Sequence, residues 1–216
     1  MFKAVVFDLD GTLVRTKPAY RHKTVKSTVE ELGAKPKIDL EHFVEKFWFE
    51  EDRDEIISKY LNVDPKEFWK AFRKYDLVEI RKQFTEAYED VGFIQKLKEK
   101  GYKTGIVTGS PERIASMEIE FLGRENFDAI IIANLECNHV RPKPDPHGIE
   151  LCLQKLDVPF AATIYVDNSV GGILAAKKAG VYDVLADRKE YCCDLKKLRP
   201  SLVINSLYDL ETILKL

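Results

Sequence analysis

Ala4 to Phe7 is an unbroken apolar run that stops at Asp8, the pattern of a short strand buried on both faces. Comparable runs recur at 103–107, 129–133, 163–166, 183–186 and 202–204. Between them the apolar positions shift to a helical period. Ile94, Leu97 and Lys98 precede a stop at Gly101; Ser110 and Pro111 open a second helix; others are predicted from about 146 to 156, from about 170 to Gly180, and after a cap at Ser206. Strands alternating with helices predict a parallel sheet flanked by helices, with right-handed crossovers.

Residues 15–90 interrupt this alternation with a helical pattern of their own. Val25, Val29 and Leu32 share a helical face ahead of Gly33, and further helices are predicted from about 40 to 49, from about 52 to 61 and from Asp64-Pro65 onward. Both tryptophans, Trp48 and Trp69, fall here with Phe43, Phe47, Phe49, Phe68, Phe72, Phe84 and Tyr88, enough aromatic volume for a helical bundle with its own core. The predicted organisation is an α/β core from 1–14 and 91–216, with 15–90 inserted as a helical domain. His22 aligns with Val25 and Val29 and is predicted to pack. Arg15, Lys17, Arg21, Lys23 and Lys26 form a cationic run predicted to be a solvated helix face, the alternative being a lure for small anions.

Composition narrows the class. The chain has 216 residues, 32% charged and 45% hydrophobic, with a formal net charge of -2, which gives no global attraction to nucleic acid or membrane. No stretch approaches the ~18 apolar residues of a membrane span, so a cytoplasmic location is expected. Cys137, Cys152, Cys192 and Cys193 lack paired CxxC spacing and the histidines are scattered, which argues against zinc. Cys152 lies on a stripe with Ile149, Leu153 and Leu156 and is predicted to be core; no bridge is expected between the adjacent Cys192 and Cys193.

Candidate chemistry collects where predicted strands end. Asp8 and Asp10 follow the first strand, separated only by Leu9, and two such carboxylates repel unless a cation or shared proton compensates them. Gly11 permits a sharp turn and Thr12 can hydrogen-bond it. Thr108 and Gly109 stand where a second strand meets a helix start, a place suited to an anion. Lys143 sits in RPKPDP, where Pro142, Pro144 and Pro146 restrict the loop. Asp167 ends the strand in IYVDNSVGGILAAKKAG.

DLDGTL resembles the opening signature of the haloacid dehalogenase-like hydrolases, mostly magnesium-dependent phosphatases. The order Asp8/Asp10, Thr108, Lys143, Asp167 follows the motif order of that superfamily. The resemblance implies a Rossmann-like core with a helical cap inserted after the first motif, as in the phosphoglycolate phosphatase and β-phosphoglucomutase branch. It implies Asp8 as nucleophile and Asp10 as acid and base, and Thr108, Gly109 and Lys143 as phosphate-binding groups. Mg2+ would be held by Asp8, Asp10 (through its backbone carbonyl) and Asp167. Two departures stand out: Pro142 replaces a glycine usual beside the lysine, and the family's second acid near Asp167 is missing, since those places hold Val166, Gly171 and Gly172. Weaker metal binding is the expected consequence.

The implied function is hydrolysis of a small phosphomonoester, phosphoglycolate or a sugar phosphate, through an aspartyl-phosphate. The expected partner is a small phosphorylated metabolite, and the chain is expected to be a monomer or homodimer. Two alternatives stand beside it. A β-phosphoglucomutase-like transfer shares the opening and a threonine at the place of Thr16, but puts a histidine where this chain has Tyr20. A signalling or binding module that holds a phosphoaspartate without turnover also uses acids, a hydroxyl and a lysine around magnesium.

Overall fold

The apolar run at the start becomes β1 (Ala4–Phe7), every residue of which is buried. In the computed structural model of the protein, which describes residues 1–49, 52–134, 139–190 and 195–215, five further strands join it: β4 (Lys103–Thr108), β5 (Ala129–Ile132), β6 (Thr163–Asp167), β7 (Tyr182–Ala186) and β8 (Leu202–Ile204). The sheet order is β5-β4-β1-β6-β7-β8, and every pairing is parallel. A parallel ladder needs a crossover between successive strands, and most of these are helical here. Strand alternation sends Val5 and Phe7 to one face and Ala4 and Val6 to the other. The first face is covered by α6 (Phe93–Glu99), α7 (Glu112–Leu122) and the C-terminal segment through Leu207 and Leu210. The second is covered by α8 (His147–Leu156) and α9 (Val170–Ala179). Cys152 of α8 is fully buried, its thiol pushed up to about 12 by that burial. Cys137, Cys192 and Cys193 lie outside the described residues.

The chain divides into two compact units, Met1–Arg15 with Ala87–Leu216, and Thr16–Glu86. The chain crosses from one to the other through β2 (Val14–Thr16) and β3 (Thr85–Ala87), which pair as a two-stranded sheet that the helical pattern of this region did not foretell. Within the second unit, α1 (Pro18–Glu31), α2 (Leu40–Phe49), α3 (Arg53–Leu61) and α4 (Pro65–Tyr75) surround an aromatic core, followed by the single turn α5 (Val78–Arg81). Local chemistry sets the helix ends. The Asp52 carboxylate accepts from Glu55 N–H and the Asp64 carboxylate from Lys66 N–H, satisfying amides that no helical carbonyl reaches, and Pro65 occupies the first turn. Phe68 is wholly buried, with ring centres 5.1 Å from Phe47 and 6.0 Å from Phe72.

Two expectations are corrected. His22 is exposed, because the buried face of α1 centres on Arg21, Thr24, Val25 and Thr28, and His22 lies about 100° round from Arg21. Arg21 is not part of a solvated face: its side chain is buried, with the guanidinium carbon 4.6 Å from the Phe49 ring centre and 5.8 Å from that of Trp48, an arrangement in which the stem packs and the charge meets π faces. The helix expected after the Ser206 cap is present as a 3-10 helix, Leu207–Thr212, with Ser206 and Asp209 closing a reciprocal capping box.

Phe68→Ala is expected to destabilise the helical unit by about 3–5 kcal/mol, because the cavity left among fixed rings cannot collapse. Both tryptophans lie in this unit, so urea unfolding followed by tryptophan fluorescence reads it directly; a loss under about 1 kcal/mol would mean that the rings repack.

Candidate active site

Parallel register places the strand ends together. Phe7 pairs with Ile106 on one side and Val166 on the other, so Asp8, Thr108 and Asp167 emerge at the same carboxyl edge of three adjacent strands. This edge, flanking a central strand from which the chain departs in both directions, is where open α/β sheets bind ligands.

Lys143 joins two of these ends. Its ammonium lies 2.6 Å from Asp8 Oδ1 and 2.8 Å from Asp167 Oδ2, with all three side chains largely buried. The loop that delivers it is braced at several points. Asp145 N–H donates to the Pro142 carbonyl across the lysine, the Asp145 carboxylate accepts from Arg141 Nε and from His147 N–H, and Lys178 Nζ donates to the Pro144 carbonyl. Proline at 142 therefore serves where the related motif carries glycine.

Asp167 is held on both oxygens. Oδ1 accepts from the Ser169 N–H at 2.8 Å and Ser169 hydroxyl at 2.7 Å; Oδ2 accepts from Lys143 and from the buried Tyr165 hydroxyl at 3.0 Å. Ser169 also caps α9 by accepting from Gly172 N–H. A Cβ at Gly172 would stand 1.9 Å from Asp167 Cγ, so no side chain, acidic or otherwise, can occupy that place beside this carboxylate. Val166 is wholly buried in the core. The position directly after Asp167 carries Asn168, which sequence reasoning passed over. It is buried, its amide lies against Gly11, and its Oδ1 accepts from the Thr12 hydroxyl at 3.2 Å. The same hydroxyl stands 3.2 Å from Asp8 Oδ2 and has one proton to give. Gly11 itself has φ +88°, and a Cβ there would meet the Asn168 amide at 2.2 Å. A polar residue adjoining a strand-end acid, and a tyrosine inside an otherwise aliphatic strand, were the available signals for Asn168 and Tyr165.

Thr108 is buried at the end of β4, where its hydroxyl accepts from Ser110 N–H at 3.1 Å and keeps its proton for another acceptor. Gly109 is exposed, and a Cβ on it would meet nothing within 4 Å, so its backbone is open to an approaching group. Asp10 is half-buried on the loop after β1, two residues beyond Asp8.

Burial pushes the Asp8 carboxyl up to about 7; Lys143 opposes this and the neighbouring Asp167 charge adds to it. For Lys143, burial works against its charge, but Asp167 and Asp8 together outweigh it and hold the ammonium well above its ordinary range. Two carboxylates sharing one cation retain attraction for another. Hard oxygen donors suit Mg2+, which takes one or two carboxylates and keeps several waters, and among the described residues no cluster of three or more His, Cys, Asp or Glu is present. The carboxylates of Asp8 and Asp167, brought together at Lys143, are donors of the type that fits that ion.

The sequence signature of the haloacid dehalogenase-like hydrolases matches residues 5–186. The chain belongs to that family. Its alignment with a Bacillus cereus protein named pyrophosphatase PpaX is 27% identical over 220 residues, covering 97% of this chain and 95% of that one. Among solved structures, a phosphatase of the same superfamily from Thermococcus onnurineus superposes with a TM-score of 0.72 at 24% identity, over 98% of this chain and 97% of the other. CbbY from Rhodobacter sphaeroides, in complex with phosphate, superposes at 0.75 with 21% identity over 97% and 96%. Within the family this protein is an enzyme of the phosphatase branch.

Lys143→Met is expected to cost about 3–5 kcal/mol of folding stability at pH 8, because it leaves two buried carboxylates facing each other. Since the folded Asp8 pKa is raised, to about 7 against an ordinary 3.8, the folded state binds more protons than the unfolded one between those values, and stability falls as pH rises through that window. The variant's deficit should therefore shrink at pH 5.5, as denaturant unfolding at the two pH values would read; an equal deficit at both would show that the lysine acts by packing alone.

Proposed function

We propose that the protein is a magnesium-dependent phosphatase that hydrolyses a small phosphorylated metabolite through an aspartyl-phosphate on Asp8. The observation that carries this reading is the Asp8–Lys143–Asp167 arrangement at the strand edge, with Thr108 ending the adjacent strand. The Asp8 carboxylate attacks phosphorus and forms the acyl phosphate as the ester oxygen departs, taking a proton from Asp10. Asp10 then removes a proton from water as that water attacks the same phosphorus. Inorganic phosphate leaves and Asp8 is regenerated.

Lys143 and the Thr108 hydroxyl meet the phosphoryl oxygens whose charge must be compensated in the transition state, and the open backbone at Gly109 admits them. Mg2+, which Asp8, Asp167 and the Asp10 carbonyl would hold, would supply further positive charge where the phosphoryl oxygens gather. Bracing of Asp167 and of the proline-rich loop means that these charges are set before substrate arrives. Residues 15–90 take the role of a cap, excluding water and selecting the leaving group, by their place between the first and second sequence motifs.

Phosphoglycolate and sugar phosphates remain the favoured substrates, and the names of the relatives add pyrophosphate. The mutase alternative gains nothing from Tyr20: buried within the helical unit, it donates to Asp76 at 3.0 Å, and this burial pushes its hydroxyl well above the ordinary phenol range.

Phosphate release from these three substrate types should require Mg2+ and be abolished in Asp8→Asn. Asp10→Asn should lose about 10²–10⁴-fold, the usual share of a positioned acid and base. Turnover that survives chelation, or a fully active Asp8→Asn, would remove the reading.

A further inference from the structure

Arg188 follows β7 and takes no part in the chemistry above, yet its guanidinium reaches the loop that carries Asp8. Its side chain is only 6% exposed. Nη1 and Nη2 bond the two oxygens of Asp90 at 2.7 and 3.0 Å, a bidentate pair. Nε and Nη2 also bond one backbone oxygen, the carbonyl of Thr12, at 3.2 and 2.7 Å. The guanidinium carbon stands 4.1 Å from the centre of the Tyr88 ring. Asp90 is anchored in turn, its Oδ2 accepting from the buried Leu207 N–H at 2.7 Å, and Tyr88 N–H donates to the Leu13 carbonyl at 3.0 Å.

Asp90 by itself would compensate the charge of a buried arginine. The two additional bonds go to the residue whose hydroxyl lies 3.2 Å from both Asp8 Oδ2 and Asn168 Oδ1. We propose that Arg188 is a positioning residue for the catalytic loop: by clamping the Thr12 carbonyl against Asp90, it fixes where the Thr12 hydroxyl meets Asp8. The planar fork matters, since a lysine ammonium cannot present parallel donors to Asp90 while holding a carbonyl on its other edge. The turn amides of Gly11, Thr12, Leu13 and Val14, which bond Val14 O and Leu9 O, are the backbone that this clamp steadies. The proposal rests on the reading of Asp8 as nucleophile.

The test uses Arg188→Lys, Thr12→Val and the double variant, with para-nitrophenyl phosphate and Mg2+, together with amide hydrogen exchange. Arg188→Lys should lower kcat by about 10–100-fold, as a small misplacement of a reacting group does, while KM moves by less than about threefold. In the Thr12→Val background the same change should cost less than about threefold, because both act through one hydroxyl. Exchange at residues 11–14 should speed by about tenfold or more, with β4 and β6 protected as before; this arm needs no substrate. Unchanged kcat and loop exchange in a folded Arg188→Lys, or an equal kcat loss in both backgrounds, would overturn the proposal. If Arg188→Lys does not fold, Asp90→Asn replaces it: faster exchange at 11–14 with lowered kcat supports the clamp, and wild-type values for both refute it. An Asp8→Asn control separates the two levels. If it turns over normally, the nucleophile reading falls and this inference with it; if it is inactive while Arg188→Lys is normal, only the clamp fails.

Discussion

Two acidic side chains emerge from neighbouring parallel strands into a site that excludes most water, and one ammonium lies between them. Without Lys143 the arrangement of Asp8 and Asp167 would be self-repelling, because burial weakens solvent screening just where the charges approach. The surrounding structure makes that contact reproducible. β1 and β6 hold the two aspartates in register, and a proline-rich loop, closed by its own Arg141–Asp145 pair, brings the lysine to them.

Orientation is enforced around each member separately. Both Asp167 oxygens are engaged, Oδ1 by Ser169 and Oδ2 by Tyr165 and Lys143, and the absence of a side chain at Gly172 leaves room for its carboxylate. Asp8 is addressed by Lys143 on one oxygen and Thr12 on the other. Preorganised charge of this kind lowers a phosphoryl-transfer barrier because no dipoles need to turn during the reaction. The phosphatase branch of the family supplies the reaction class.

Much of the fold was legible because its signals are local. Most strands of the main sheet are short, largely apolar runs, and two helix limits follow from Asp64 and Gly180. Less legible were features whose cause is a neighbour distant in sequence. Arg21 reads as surface charge until aromatic rings from another helix surround it, and His22 reads as core until the true centre of that helix face is known. The pairing of β2 with β3 joins residues about seventy positions apart and left no periodic trace in segments of three residues. The site shows the same division. Asp8, Thr108, Lys143 and Asp167 were marked by strand ends and turn chemistry, whereas Tyr165, Asn168 and Arg188 gain meaning only from the atoms they touch.

The sequence by itself determined the alternation of strands and helices, the helical insertion and the order of the chemical groups, because these depend on side-chain polarity at fixed spacing along one chain. Tertiary structure alone decided which groups became partners: that one lysine serves two aspartates, that Gly172 makes room for a carboxylate, and that Arg188 grips the Thr12 carbonyl. Those outcomes turn on separations of a few ångströms between residues far apart in the chain, set by strand register and packing, and no local pattern encodes them.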